Sequence, residues 1–303
     1  MRFDESDRVD ESQIEDRRGG GFGRLGAGLG GLGVVGAIAL VALRLLAGDG
    51  GGAASELTRV LEGTRGLPRR GPAPPGGHSS VGGSCKGVTS ASDNAKFAAC
   101  VETNVQSFWK REFAHSGEPY RPATLVFFTD QTSSGCGEAS AATGPFYCPA
   151  DQKVYLDLGF FRDLSARFHA KGGDFAEAYV IAHEYGHHIQ HLLGIEAKVR
   201  KLQQKHPKSK NRLSVKLELQ ADCFAGVWGH AAYEKGKVEK AEIEQALDAA
   251  AAVGDDRLQK QAYGRVAPET FTHGSSSERQ RWFKLGMAEG DPAACDTFKS
   301  ESK

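Results

Sequence analysis

Hydrophobic and polar positions divide the chain into stretches of different kinds. Residues 1–24 (MRFDESDRVDESQIEDRRGGGFGR) scatter single apolar residues among charges with no helical or strand period. They are expected to form a disordered, solvated tail. The next 19 residues, 25–43 (LGAGLGGLGVVGAIALVAL), carry no charge and end at Arg44. At about 1.5 Å rise per residue such a run just spans a hydrocarbon core of about 30 Å, so 25–45 are expected to be a transmembrane signal-anchor. Six of the 19 are Gly, which leaves a Gly-rich flexible segment or a cleaved signal peptide as alternatives. Residues 46–84 are rich in Gly, Pro and Ser and read as a tether.

From residue 85 onward the pattern is that of a folded domain, 85–303. Phe97, Val101, Val105 and Phe108 recur at helical spacing, predicting a helix over 91–115. TLVFFT (124–129) and KVYLDL (153–158) read as strands. Helices are expected over 174–193, 212–234, 239–252 and 275–289. Strands followed by helices point to an α+β domain, mostly helical with a small sheet, behind the N-terminal transmembrane helix.

Charge narrows the function classes. Thirty-eight Lys+Arg balance 38 Asp+Glu, which argues against nucleic acid as a partner. Arg17, Arg18 and Arg24 precede the apolar run, whereas the 15 residues after Arg44 hold only Arg59. That asymmetry places residues 1–24 in the cytoplasm and the domain outside, a single-pass protein of the cell membrane. Of the 39 glycines, 22 fall in residues 1–87, so glycine abundance belongs to the head and linker. It also explains why Gly21, Gly23 and Gly26 fit GxGxxG with neither a preceding strand nor a following acid.

The chemistry concentrates in DFAEAYVIAHEYGHHIQHLL. His183 and His187 lie four apart, hence on one helix face, and can offer two imidazoles to one ion. Glu184 is rotated about 100° from His183, placed to act on a metal-activated water without being a ligand. A buried His pair satisfied by backbone groups is the alternative reading of HExxH alone. A catalytic zinc needs a third protein donor and an open position. The metzincin continuation fails, because Gln190 and Leu193 stand where Gly and His belong. Downstream, Glu218 and Asp222 are spaced i, i+4. This pair resembles the ExxxD helix of gluzincins, which implies Glu218 as third ligand and Asp222 as the acceptor that orients a ligand imidazole.

Four blocks, SGCGEASAATGPFYCPADQKVYLDLGFF, AHEYGHHIQHLLGI, LSVKLELQADCFAGVWGHAA and FTHGSSSERQRWFKLGM, resemble the bacterial putative neutral zinc metallopeptidase family. The resemblance covers about residues 85–298 and leaves the N-terminal tail outside. It implies a membrane-anchored, zincin-like metallopeptidase domain with one Zn2+ per chain on His183, His187 and Glu218. Its substrates would be peptides or proteins, hydrolysed with Glu184 as general base; the family itself supplies no known substrate. A zinc-stabilised, non-catalytic extracytoplasmic binding or scaffold protein is the competing reading, and an aminopeptidase a weaker third.

Candidates for stabilising the oxyanion are His273 and Tyr263; a loop role for His273, beside the helix starting near Ser275, stands as the alternative. The strand at 153–158 could be the edge to which an extended substrate pairs, with Tyr155 or Asp157 lining the cleft. His188 and His191 read as ordinary helix residues. Seven Lys/Arg between Lys198 and Arg212 read as a solvated helix and loop, or as a rim facing the cleft or anionic lipid. Six cysteines suit an oxidising compartment and allow fifteen pairings. Cys136–Cys148 is the best local bridge, followed by Cys85–Cys100 and Cys223–Cys295; free buried thiols are the alternative.

Overall fold

The structure, a computed structural model of the chain, describes residues 1–19, 81–166 and 170–299. The expected signal-anchor at 25–45 and most of the linker at 46–84 lie outside the described residues. Among the described residues no helix is long and apolar enough to cross a membrane.

A four-stranded sheet runs in the order β1 (Ile14–Asp16), β2 (Thr124–Phe128), β6 (Lys153–Asp157), β5 (Phe146–Cys148). β1, β2 and β6 are parallel, with Leu125 opposite both Ile14 and Val154. β5 pairs antiparallel with β6, Phe146 opposite Tyr155. The last four residues of β2 and of β6 are all buried, which fits strands covered on both faces and their near-continuous apolar sequence. A hairpin of β3 (Gln131–Ser134) and β4 (Gly137–Ser140) stands apart from this sheet.

Helices make up most of the domain. In α1 (Asn94–His115) the Asp93 carboxylate accepts from the Lys96 amide at the N-terminus, and Phe97, Val101, Val105 and Trp109 enter the core. α2 (Gly159–Ala166) follows the sheet. The central helix α3 (Asp174–Leu192) is buried along most of its length, with small Ala176, Ala178 and Ala182 admitting neighbours closely. After it come α4 (Ile195–Lys205), α5 (Lys210–Glu234), α6 (Lys240–Ala252), α7 (Asp255–Tyr263) and α8 (Ser276–Glu289). α5 and α8 touch backbone to backbone. A side chain at Gly226 would strike the Phe283 carbonyl, and one at Gly286 the Cys223 carbonyl. Three disulfides, Cys85–Cys100, Cys136–Cys148 and Cys223–Cys295, pair as expected. The last joins α5 to the C-terminal turn across 72 residues.

The N-terminal segment corrects the expectation of a disordered tail. Met1, Phe3 and Val9 are buried, and Phe3 packs edge-on against Phe97 with ring centroids 5.9 Å apart. Ile14–Asp16 is the outer strand of the sheet, and Lys153 reaches Glu15 at 2.6 Å. Isolated apolar residues without a period looked like solvated chain because the surface they cover is supplied by residues about a hundred positions later. The charges between them are satisfied: Arg17 bonds Glu15, Thr132 and the Ser133 carbonyl. Through β1, residues 1–19 belong to the same folded unit as the residues from 81 onward.

The edge-strand expectation is corrected too. Lys153–Asp157 is flanked on both sides, and the antiparallel edge is β5. Replacing Phe3 by Ala should destabilise the folded chain by about 3 kcal/mol in denaturant unfolding, as expected for a buried aromatic; an unchanged midpoint would mean that the segment is solvated after all.

Candidate metal centre

One turn apart on α3, His183 and His187 set their rings edge to face with centroids 4.8 Å apart. α5 crosses at this level. Gly186 is the reason it can, since a Cβ there would lie 2.9 Å from both Cα and the carbonyl oxygen of Ala221. The crossing delivers Glu218. Its Oε2 lies 3.2 Å from His183 Nε2 and its Oε1 3.5 Å from His187 Nε2. One donor atom from each of the three residues falls within 4.8 Å of the others.

These separations can be compared with a tetrahedral zinc bound through N and O at about 2.0–2.2 Å, whose ligand atoms stand about 3.3–3.5 Å apart. The donor set fits such an ion. The side chains of His187 and Glu218 keep 21% and 20% exposure, so one side of the cluster opens to solvent. Glu184, buried, follows His183 directly on the same helix.

Each imidazole is held from behind. His183 Nδ1 donates to Asp222 Oδ1 at 2.8 Å, which leaves Nε2 to face Glu218. Asp222 is fully buried, and its Oδ1 also accepts from the Tyr179 hydroxyl at 2.5 Å and from Arg279 Nη2 at 2.9 Å. Its Oδ2 accepts from Arg279 Nε at 2.8 Å. Burial works against ionising Asp222, but the Arg279 guanidinium and then His183 hold its pKa down at about 2. His187 Nδ1 donates to Gln190 Oε1 at 2.9 Å, and the Gln190 amide is itself fixed by the Leu217 carbonyl and Gln220 Oε1. Burial disfavours the His187 cation, yet the Glu218 charge overrides it and raises the pKa to about 9. Burial likewise opposes ionisation of Glu218, and the His187 charge still keeps its carboxyl well below the ordinary range.

His273 stands in the loop before α8. Its ring Nδ1 lies 3.2 Å from Asp255 Oδ1, while Asp255 Oδ2 accepts the backbone amides of Thr272, His273 and Gly274 at 2.7, 2.6 and 3.0 Å. Burial pulls the His273 pKa down, but the Asp255 bond and the Glu218 charge prevail and raise it. Tyr263 is exposed at the end of α7. Tyr155 and Asp157 are buried within the sheet, bonded to Asp151 and to the Asp130 and Gly159 amides; Tyr155 lines a pocket with Arg17, Thr132 and Asp151, and none of the metal-site residues lines that pocket. His188 is buried, with ring bonds to Tyr147 and to the Arg121 carbonyl, and its pKa is lowered to about 4 by burial. His191 pairs with Glu196.

Residues 1–298 match the sequence pattern of the family described as Putative neutral zinc metallopeptidase. The chain belongs to this family. The match includes the N-terminal segment, so the family relationship extends beyond the blocks at 85–298 and agrees with β1 being part of the domain. Among curated relatives, the uncharacterized protein YpfJ of Escherichia coli K12 is 52% identical over 205 residues, 67% of this chain and 71% of its own length. The uncharacterized protein Rv2575 of Mycobacterium tuberculosis H37Rv is 41% identical over 238 residues, 74% of this chain and 78% of its own. No solved structure matches.

Sequence reasoning missed Gln190, Arg279, Tyr179 and Asp255. Gln190 sits three residues after His187, within reach on a helix, and could have been found from that spacing. Arg279, Tyr179 and Asp255 have no such local signal. For this zinc metallopeptidase-family site, metal uptake must displace the proton of His187, whose pKa lies near 9 without metal. Apparent zinc affinity should therefore rise with pH and level off above about 9, by about tenfold per unit for the His187 proton and more steeply where His183, whose pKa is also raised, is still protonated. Competition titrations with a chelator of known pH dependence check this; a flat profile between pH 6 and 8 would show that His187 binds zinc without losing a proton.

Proposed function

We propose that this protein is a zinc-dependent peptidase, with one zinc per chain held by His183, His187 and Glu218. The observation that carries the reading is the donor geometry of those three residues, with Glu184 beside them on α3. When bound, zinc supplies a Lewis acid that brings the pKa of water towards about 7 and polarises a peptide carbonyl. Glu184 accepts the proton of the attacking water and passes it to the departing amine. His273, oriented by Asp255, donates to the oxyanion as the carbonyl becomes tetrahedral.

β5 offers the place for substrate. Among the described strands it pairs only with β6, and its Tyr147 hydroxyl lies 3.1 Å from His188 Nδ1 on the metal helix. An extended peptide adding to that edge would run beside α3 and present its backbone carbonyls along the helix that carries Glu184. The fold reading that goes with this is zincin-like.

The three disulfides favour an oxidising compartment for the domain. We propose in addition that residues 25–45 attach the protein to the membrane surface without carrying the chain across it. A single crossing would put residues 1–19 and 81–299 on opposite sides of the membrane; the pairing of β1 with β2 supports both flanks lying on one side. Both flanks then lie on the same side, and an impermeant reagent should label them alike.

In cleavage assays on unfolded proteins, Glu184→Gln should retain zinc and lose about 10²–10⁴-fold in kcat/KM. Glu218→Ala should lose the metal, and His273→Ala about 10²–10³-fold in kcat with zinc in place. A wild-type protein that binds zinc at this site and cleaves nothing would favour a metal-stabilised binding protein.

A further inference from the structure

Arg279 is the buried cation nearest the metal cluster, and none of the reactions described above uses it. It projects from α8, is 4% exposed, and addresses three other helices at once. Nε and Nη2 form a two-pronged bond to the Asp222 carboxylate on α5, at 2.8 and 2.9 Å. Nη2 also donates to the Tyr179 hydroxyl on α3 at 3.2 Å and lies 3.4 Å from His183 Nδ1. Nη1 donates to the Val253 carbonyl just after α6, at 3.4 Å. Two residues beyond Val253 is Asp255, whose carboxylate holds the loop of His273.

The carboxylate of Asp222 has no freedom left in this arrangement. An Asp alone could rotate about its last bond and offer His183 either oxygen at various angles. With both oxygens engaged by a planar guanidinium fork and one also by Tyr179, a single orientation remains, and His183 Nδ1 meets it. The backbone contact of α5 with α8 through Gly226 and Gly286 is what brings Arg279 within reach. An uncompensated Asp222 buried beside Glu218 would be costly, and Arg279 is the counter-charge that lets it stay there.

We propose that Arg279 is a positioning residue for the metal centre. It fixes the plane of Asp222, and through Asp222 the ring of His183, while tying that assembly to the segment that supports His273. The inference rests on the reading of His183, His187 and Glu218 as zinc ligands, but its readout is metal affinity rather than turnover.

The test is a double-substitution cycle on the full-length chain, reading zinc affinity by chelator competition. Loss of an outer partner of a metal-ligating His typically weakens binding by about 10–100-fold. Arg279→Met should fall in that range, and Arg279→Lys should also weaken binding, because an ammonium cannot make the fork. In an Asp222→Asn background, Arg279→Met should have little additional effect, since both act on the same imidazole. Wild-type affinity in Arg279→Lys, or an equal loss with and without Asp222→Asn, would overturn the proposal. Should Arg279→Met fail to fold, Arg279→Lys and Tyr179→Phe still decide it, because each leaves the junction filled; both binding zinc as wild type does would contradict it. If wild type binds no zinc, the functional reading fails before this one is reached.

Discussion

Where α3 crosses α5, the absence of a side chain at Gly186 lets the Ala221 backbone come into direct contact, and that contact sets how far Glu218 stands from the two imidazoles. A Cβ at 186 would meet Ala221 Cα and O at 2.9 Å, so one helix would have to move by several tenths of an ångström. Carboxylate oxygens that now lie 3.2 and 3.5 Å from the His183 and His187 nitrogens cannot absorb such a shift and remain on a common tetrahedron. Close-packed interiors transmit displacements rather than damp them. The unremarkable Gly inside HEYGH is therefore as much a part of the centre as the residues that bind.

Charge is organised around the same crossing. Glu218, partly exposed, and Asp222, fully buried, place two carboxylates one turn apart on α5, and each is balanced from a different direction. Asp222 is answered by Arg279 from α8, and Glu218 by His187 from α3. Asp255, at the start of α7, and His273, in the loop before α8, form a further such pair. Keeping these groups in register requires helices that do not slide. Paired glycines between α5 and α8 and the Cys223–Cys295 bridge hold that side, while β1 and the buried Phe3 close the sheet and the far face of α1.

How far the sequence revealed this varies with the distance over which each relationship acts. His183, Glu184 and His187 were legible because a helix repeats every 3.6 residues, and Glu218 with Asp222 two helices later from the same spacing together with the resemblance to the ExxxD helix. The disulfide pairs were also legible, although the count alone allowed fifteen. Arg279 could not be read this way: it lies 57 residues beyond Asp222, and nothing in RQR distinguishes a buried arginine from a solvated one. β1 was missed because it lies in a charged stretch whose partner strand begins 110 residues later, with Ile14 opposite Leu125. The edge strand was misassigned because strand order depends on topology; KVYLDL has the strand-like sequence, but the shorter FYC occupies the edge.

Zinc K-edge X-ray absorption on the full chain purified with zinc tests the central claim most directly. The account predicts nitrogen and oxygen neighbours only, at about 2.0–2.2 Å, with outer-shell scattering from two imidazole rings. All six cysteines are engaged in disulfides, so no thiolate is free to bind. A sulfur neighbour at about 2.3 Å, or a first shell without histidine, would contradict it.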